Sequence, residues 1–391
     1  MRVLHIGKFF PPHPGGIERS SADLAAALAA RGVETAVLAH AEPGTHRGRS
    51  FRLDDIDVTL AACHRQLMYV PLSPSFPWRL AQLIRRFRPE LLHLHVPNTS
   101  AFSALLLRSA RSLPWIVHWH ADVASDARHP GLRVGYRLYK PWEQALLERA
   151  RAVITSSANY LNASAALAPW RDKVRVIPLG IAPSDDAVDQ ATPTTTAWRT
   201  GALRVLAVGR LSYYKGFDVL LDALAHVPEA ELILVGDGEG RGHLQARAVE
   251  SGLQARVHFA GSVDDATLNA LYANAEVLCL PSIDRSEAFG MVLLEAMRAA
   301  LPVVASDLRG SGVTYVVRDG ETGLLVPPGD ADTLAAALRR LAQDAALRQR
   351  LGAAGRQRWL NEFTLERAAQ RTLTLYRDVL GAARNTAART A

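Results

Sequence analysis

"RVLAVGRLSYYKG", Arg204–Gly216, opens with six residues that nearly repeat "RVLHIG" at Arg2–Gly7. Each is a short β-branched and leucine run closed by glycine, the pattern of a buried strand ending in a tight turn. The chain therefore begins the same kind of domain twice. Its 391 residues agree, because a single core rarely grows past about 250–300 residues. Between the two starts, "APSDDAVDQATPTTTAW" (Ala182–Trp198) is rich in proline, threonine and aspartate and lacks an apolar period. A linker is expected over 186–200, between an N-terminal domain, 1–185, and a C-terminal domain, 201–364.

Short apolar runs alternate with longer helical patterns in both halves. "ETAVLAH", "LLHLHV", "WIVHWH" and "AVITSS" fall in the first half, and "AELILVG", "VHFAG", "EVLCLPS" and "PVVAS" in the second. Such alternation implies βαβ units, hence an α/β fold of two Rossmann-like domains with parallel sheets facing a central cleft. Ligands of open α/β sheets bind beyond the carboxyl ends of strands, so the residues just after these strands carry the functional reading. In the last segment, 365–391, a helix is expected from Leu365 to about Ala383. Leu373, Leu375, Tyr376, Val379 and Leu380 give it an apolar side that can pack back on the first domain.

Composition narrows the classes. With 49% hydrophobic and 21% charged residues, the chain is an ordinary globular one. It has no apolar run of the ~18–20 residues a membrane span needs, and its start reads as a strand, so a cytoplasmic protein is expected. Two isolated cysteines, Cys63 and Cys279, make neither a disulfide framework nor a zinc cage. A formal charge of +7 favours an anionic partner without saying which.

Several strand ends bear candidate chemistry. "PPHPGGIE" (Pro11–Glu18) puts Gly15 and Gly16 at a helix start, either as a tight turn or as a place where backbone amides meet a phosphate. "VGRLSYYKG" holds Arg210 and Lys215 in a loop, either solvated or placed to neutralise a diphosphate. "LVGDGEGRGHL" (Leu234–Leu244) fails the dinucleotide fingerprint, since Arg241 stands where the third glycine is needed. That argues against a nicotinamide dehydrogenase. "LLHLHVP" and "IVHWHAD" supply His93, His95, His118 and His120. These four can ligate zinc or serve as hydrogen-bonded core groups, and the second reading is preferred. His120 differs by lying at its strand's end.

"SEAFGMVLLEAM" (Ser286–Met297) follows the strand "EVLCLPS" and carries Glu287 in a loop and Glu295 on the helix leaving it. A carboxylate in such a loop can accept hydrogen bonds from sugar hydroxyls, and free amides at Phe289, Gly290 and Met291 can hold phosphate. Two charges spaced along a surface helix is the plainer alternative.

Together "GRLSYYKG", the E-x7-E run "EAFGMVLLE" and "PVVASDLRGSGVTYVVRDGETGLLVPPGD" resemble the retaining family-four glycosyltransferases of the GT-B fold. The resemblance is strong from Val208 to Asp330 and weak in the first half outside "PPHPGGIE". It implies that Gly15 and Gly16 approach the diphosphate of a nucleotide-sugar donor, and that Arg210 and Lys215 bind the same phosphates and stabilise the leaving nucleotide. It gives Glu287 the hydroxyls of the transferred sugar, Glu295 the ribose, and His120 a place near the reacting carbon. Such enzymes usually need no metal, in keeping with the reading that no D-x-D metal site is present, and no cofactor is expected. Ala288 replaces a proline common in the family. That variant is similar to bacterial mannosyl- and deoxyhexosyltransferases of surface-polysaccharide assembly that use GDP-sugars.

The acceptor, lipid-linked or an oligosaccharide, is expected on the first domain. "PSFPWRLAQLIRRFRPE" (Pro74–Glu90) and "RHPGLRVGYRLYKPWEQALLERAR" (Arg128–Arg151) mix basic and aromatic residues. They suit an anionic membrane surface as well as solvated helices with an apolar side in the core. A UDP-sugar-dependent glycosyltransferase is the alternative, with a GT-B sugar-nucleotide epimerase after it. A nucleic-acid-binding protein is disfavoured, because the positive residues are dispersed and no such module is visible.

Overall fold

A computed structural model describes residues 1–67, 70–123, 130–183, 198 and 201–390, without side chains at 130–132 and 384–390. It divides into two compact units, Met1–Ala182 with Leu365–Ala391, and Pro183–Thr364. The linker expected over 186–200 lies, Trp198 apart, outside the described residues.

The first unit contains β1 (Arg2–Ile6), β2 (Glu34–His40), β3 (Arg49–Leu53), β4 (Ile56–Ala61), β5 (Arg65–Leu67), β6 (Val70–Leu72), β7 (Leu91–Val96), β8 (Trp115–Trp119), β9 (Ala152–Thr155) and β10 (Val174–Val176). Its sheet runs β10-β9-β8-β7-β1-β2-β4-β3. The central strands β7 and β8 are buried throughout, as parallel strands covered on both faces must be. Strand β3 departs from the expected parallel pattern and pairs antiparallel with β4. Its "RSFRL" is mostly exposed and turns back through Asp54 at φ 50°, so it forms a polar edge strand. Strands β5 and β6 form a separate antiparallel pair. The helices of this unit are α1 (Gly16–Ala29), α2 (Phe76–Phe87), α3 (Ser103–Leu106), α4 (Arg108–Arg111), α5 (Pro130–Arg149) and α6 (Ala158–Ala163).

The second unit carries β11 (Leu203–Val208), β12 (Ala230–Val235), β13 (Val257–Gly261), β14 (Val277–Leu280), β15 (Val303–Ser306) and β16 (Leu324–Val326) in the order β13-β12-β11-β14-β15-β16. Every pairing is parallel. Helices α7 (Phe217–Ala225), α8 (Arg241–Glu250), α9 (Asp265–Asn274), α10 (Met291–Arg298), α11 (Val313–Val316), α12 (Ala331–Gln343) and α13 (Ala345–Glu362) follow the strands. Val205, Ala207, Leu232, Leu234 and Val277 of the sheet bury against Leu220, Leu224 and Leu338 of α7 and α12. Both cysteines are buried free thiols.

The last helix, α14 (Leu365–Thr390), belongs to the first unit. Its Ala369, Leu373, Tyr376 and Val379 fall at helical spacing and pack on Val3, Leu91, Ile116 and Ile154 of the sheet and on Leu24 and Leu28 of α1. Among the described residues no helix is long and apolar enough to cross a membrane. Leu373→Ala should cost about 2–5 kcal/mol, the range for truncating a buried leucine. The expected outcome is a lower urea midpoint for the first unit, followed by the fluorescence of a tryptophan within it such as Trp115.

Candidate active site

Strand β11 ends at Val208, and the chain then turns through Gly209 and Arg210 into a short 3-10 turn, Tyr213–Lys215. The Lys215 side chain returns across that strand end, where a Cβ on Gly209 would stand 3.3 Å from Nζ. There the ammonium meets Glu287, Nζ to Oε2 at 2.6 Å, with both groups about nine-tenths buried. Ser282, just beyond β14, donates to the same oxygen at 3.0 Å. Burial, the largest single influence, pulls the Lys215 pKa down, yet the charge and hydrogen bond of Glu287 together with Tyr214 and Glu295 offset it and the net direction is up. The ammonium therefore stays charged in the core. Its contribution to folding is complete below the ordinary lysine value of 10.5 and is lost only as pH rises through its own raised value.

The loop carrying Glu287 is held from the next strand. Ser311 donates to the Glu287 carbonyl, and the Gly312 amide donates to the Ala288 carbonyl at 2.8 Å. A Cβ at Gly312 would stand 2.7 Å from the Phe289 ring and 2.8 Å from the Ala288 oxygen, so no larger residue fits. Phe289 is buried, Gly290 takes φ 81° and Met291 opens α10. Glu295, in the second turn of α10, accepts a hydrogen bond from the Tyr272 hydroxyl at 2.7 Å. Arg210 does not join Lys215. It lies exposed, paired with Glu239 at 3.1 Å. The structure thus brings Lys215 and Glu287 together, while Arg210 and Glu295 hold other partners.

The glycines of "VGDGEG" have a structural use. A Cβ on Gly236 would collide with the Gly209 carbonyl, and one on Gly238 or Gly240 with the Leu211 carbonyl. Leu211 also receives the Gly240 amide at 2.8 Å and donates to Asp237 at 2.9 Å. These glycines let two strand-end loops touch backbone to backbone.

Helix capping separates two kinds of loop. Helices α9, α12 and α13 start with Asp264, Asp330 and Asp344, whose carboxylates accept from the third residue on. Helices α7, α8 and α10 start from Gly216, Gly240 and Gly290 without a side-chain cap. In α8 the Arg241 amide bonds the Gly238 carbonyl and in α10 the Leu293 amide bonds the Gly290 carbonyl, so it is the other first-turn amides that can take another acceptor, the usual basis of anion binding at helix N-termini. Literal D-x-D triplets do occur, correcting the sequence reading, at Asp55–Asp57 and Asp330–Asp332. The first lies in the β3–β4 edge hairpin and the second caps α12, so neither is at these strand ends. A hollow of ≈ 520 Å³ beside Arg204 and Glu276 opens at the amino ends of β11 and β14, the wrong edge for a ligand of such a sheet.

In the first unit Gly15 is the N-cap of α1 and Gly16 its first residue. The carboxylate of Glu18 folds back over Gly15, where a Cβ would strike it. Burial pushes the Glu18 carboxyl up, against the pull of its own amide, His13 and Lys8. His120 follows β8, is buried, and bonds His95 at 2.9 Å. The His pairs form two groups, His5/His93/His95 and His95/His118/His120, whose nitrogens lie within 4.8 Å of one another. Sequence reading missed His5, Glu18, Ser282, Tyr272 and Ser311. Only Ser282, next to a strand end, carried a signal in its position.

Comparison with known proteins defines the class. Residues 190–358 match the family described as "Glycosyl transferases group 1", and residues 15–180 match the "Glycosyl transferase 4-like domain". The chain is 34% identical over 367 residues to phosphatidyl-myo-inositol mannosyltransferase of Mycobacterium leprae, covering 91% of each protein. It is 29% identical over 386 residues to O-antigen chain mannosyltransferase C of Escherichia coli, covering 97% of this chain and 99% of that one. A solved sucrose-phosphate synthase of Thermosynechococcus elongatus superposes with a TM-score of 0.80 at 26% identity, over 97% of this chain and 99% of that one. Fold and relatives define a glycosyltransferase of the GT-B fold. The chain belongs to the group 1 glycosyltransferases, with a family-four-like first half.

The two cations should differ in what their loss does to folding. Lys215→Ala leaves the Glu287 carboxylate buried without its partner and should cost about 3–5 kcal/mol. Arg210→Ala removes an exposed pair worth about 0–1 kcal/mol. Chemical unfolding of both variants checks this, and equal losses would contradict the geometry.

Proposed function

We propose that the protein transfers a hexose, mannose from GDP-mannose, to a lipid-linked or oligosaccharide acceptor in cell-surface polysaccharide synthesis, with retention of anomeric configuration. The observation that carries this reading is the buried Lys215–Glu287 pair beside helix N-termini that lack side-chain caps. A nucleotide-sugar presents a diphosphate and vicinal hydroxyls, the two chemistries this arrangement accepts. Lys215 offsets charge that grows on the departing diphosphate, and Arg210 joins it by leaving Glu239. Glu287 orients sugar hydroxyls, and the departing phosphate helps deprotonate the acceptor on the same face. Glu295 takes the ribose on the lone pairs that the Tyr272 hydroxyl leaves free. Gly15 and Gly16 are assigned to the diphosphate, with Phe289, Gly290 and Met291, and His120 to the transferred sugar. Ala288 and two mannosyltransferase relatives support mannose as the sugar.

Helix α5 supports an anionic membrane surface as the place of the acceptor. Val134, Leu138 and Trp142, at i, i+4 and i+8, are 59%, 72% and 43% exposed, and Arg133, Arg137 and Lys140 are exposed beside them. Helix α2 differs, since it buries Phe76, Leu80 and Ile84 and exposes Trp78. Arg128 and His129 of the basic stretch lie outside the described residues. Leu138→Glu should weaken sedimentation with vesicles rich in anionic phospholipid, and added salt should weaken that of the native protein. Salt-insensitive sedimentation, or none, removes the membrane from the reading.

The glutamates give the sharper test. Glu295→Gln should weaken binding of both the free nucleoside diphosphate and the intact donor by about 1–3 kcal/mol, the scale of hydrogen bonds to a charged group. Glu287→Gln releases Lys215 from its ion pair, so the bare diphosphate should bind no more weakly while turnover with the full donor falls. Calorimetric titration of both variants with GDP and GDP-mannose decides. If Glu287→Gln weakens GDP binding as Glu295→Gln does, the division of roles fails. Transfer should also persist in chelator, since two cations and helix-terminal amides take the role of a metal in this reading. Loss of activity that added magnesium or zinc restores would overturn that part.

A further inference from the structure

Five imidazoles and one phenol of the first unit form a single chain of hydrogen bonds, and its construction begins with strand register. Alternate residues of a strand face one side, so His93 and His95 of β7 share a face, as do His118 of β8 and the following His120. Parallel register then sets His5 of β1 beside His93, and His95 beside His118. The rings stack, with centroids 4.5 Å apart for His93 and His95 and 4.2 Å for His118 and His120. Helix α14 packs on this sheet and brings Tyr376 to the cluster.

The bonds run without a gap. His120 Nε2 meets His95 Nδ1 at 2.9 Å, and His95 Nε2 meets His5 Nδ1 at 3.1 Å. His5 Nε2 meets the Tyr376 hydroxyl at 3.4 Å, the same hydroxyl bonds His93 Nδ1, and His93 Nε2 meets His118 Nδ1 at 3.2 Å. Ser21 Oγ lies 3.2 Å from His95 Nδ1, where it can share that proton. All five rings are buried, and burial pushes each imidazole pKa down, to about 3 for His5 and His120. Each ring therefore holds one proton at neutral pH.

One proton per ring leaves two concerted arrangements, because reversing any single ring would set two donors or two lone pairs against each other. Tyr376 has no third partner among the described residues, so it must accept from one ring and donate to the other. Either every ring carries its proton on Nδ1, or every ring carries it on Nε2. His118 Nε2 decides between them, since it is fully buried with no hydrogen-bond partner among the described residues. A stranded N–H is rarer and costlier in a protein core than a stranded lone pair. The proton belongs on Nδ1 throughout.

We infer that this chain holds His120 as a neutral imidazole protonated on Nδ1, and that Tyr376 of the last helix joins the chain's two halves and sets the tautomer of His93 and His118. The inference rests on the proposed function only for what His120 then does, which is to donate a hydrogen bond to an oxygen of the transferred sugar rather than remove a proton. A metal held by the same nitrogens is the competing use. It would need lone pairs aimed at a common centre, whereas the chain spends them on neighbouring rings.

The test is a long-range proton–nitrogen correlation spectrum of the full chain labelled with nitrogen-15 histidine at neutral pH, assigned with single His→Asn variants. The five rings should each show a protonated Nδ1 and a bare Nε2, the minor tautomer of free histidine. All five protonated on Nε2, or a mixture, overturns the inference, as do nitrogen shifts typical of bound metal that vanish with chelator. In Tyr376→Phe the His93 and His118 signals should spread over both tautomers, because either arrangement then strands one N–H, at His93 Nδ1 or at His118 Nε2, while His5, His95 and His120 keep their proton on Nδ1. An unaltered tautomer pattern at His93 and His118 in Tyr376→Phe overturns the role of Tyr376. If that variant does not fold, the native spectrum still decides the polarity of the chain. A correct tautomer in a protein whose His120→Asn variant transfers sugar normally upholds the chain and removes only the role given to His120.

Discussion

An ammonium taken out of water has to be neutralised where it stands, and in the second unit Glu287 does this for Lys215 at 2.6 Å. Much of the surrounding loop structure follows from keeping that pair in register. Glu287 must be fixed through its own backbone, which Ser311 and Gly312 provide from the loop after β15. Lys215 must leave the β11 loop and reach the end of β14. The left-handed Gly216 allows this, because a Cβ there would collide with the Pro281 carbonyl and lie 2.9 Å from Ile283. Three strand-end loops are thus tied to one charge pair. In the proposed function a pair so placed would let an anion exchange one partner for another instead of desolvating a free cation.

The same economy appears at the helix starts. An aspartate cap satisfies the first amides of a helix permanently, as it does for α9, α12 and α13. A glycine start has no side-chain cap and spends at most some of those amides on backbone carbonyls, as at Arg241 and Leu293, and such starts are found after β11, β12 and β14. At α1 the chain uses a third arrangement, in which the Glu18 carboxylate lies over Gly15 in the absence of another anion. Its raised pKa means that this carboxyl gives up its charge more readily than an exposed one. In the proposed function, the diphosphate would meet there a group whose charge is already costly to keep.

The duplicated start, "RVLHIG" and "RVLAVG", made two α/β units legible because a buried parallel strand leaves so plain an apolar run. The edge strand β3 left no such run, since "RSFRL" sets only Phe51 and Leu53 among polar residues and pairs antiparallel at the rim. Within the site, Lys215, Glu287 and Glu295 were legible because they follow strand ends. Their partners were not. Tyr272 lies on another helix, and Ser311 comes from the loop after the neighbouring strand, so spacing along the chain says nothing of either contact. The histidines show the same limit. The His-x-His pairs could be read from "LLHLHV" and "WIVHWH", and a hydrogen-bonded core was the reading preferred for them. The bond from His93 to Tyr376 joins residues 283 positions apart, and only the packing of α14 creates it.

What separates the two glutamates of "SEAFGMVLLEAM" is the nature of the partner each would have to release. Glu287 is bound to a charge inside the core, so whatever replaces it must satisfy both a carboxylate and an ammonium. A sugar joined to a diphosphate meets that requirement in one molecule, with hydroxyls for the first and phosphate oxygens for the second. Glu295 is held by a neutral phenol whose hydroxyl is buried and whose pKa is pushed up, so Tyr272 remains a donor and never a competing anion. A ribose hydroxyl can add to the free lone pairs of that carboxylate without breaking the existing bond. In the proposed function the first glutamate would thus respond to the donor by exchanging partners and the second by gaining one. The residues between them, Phe289 buried and Gly290 left-handed, keep one carboxylate in the loop and the other on the helix, which is what the proposed division of roles requires.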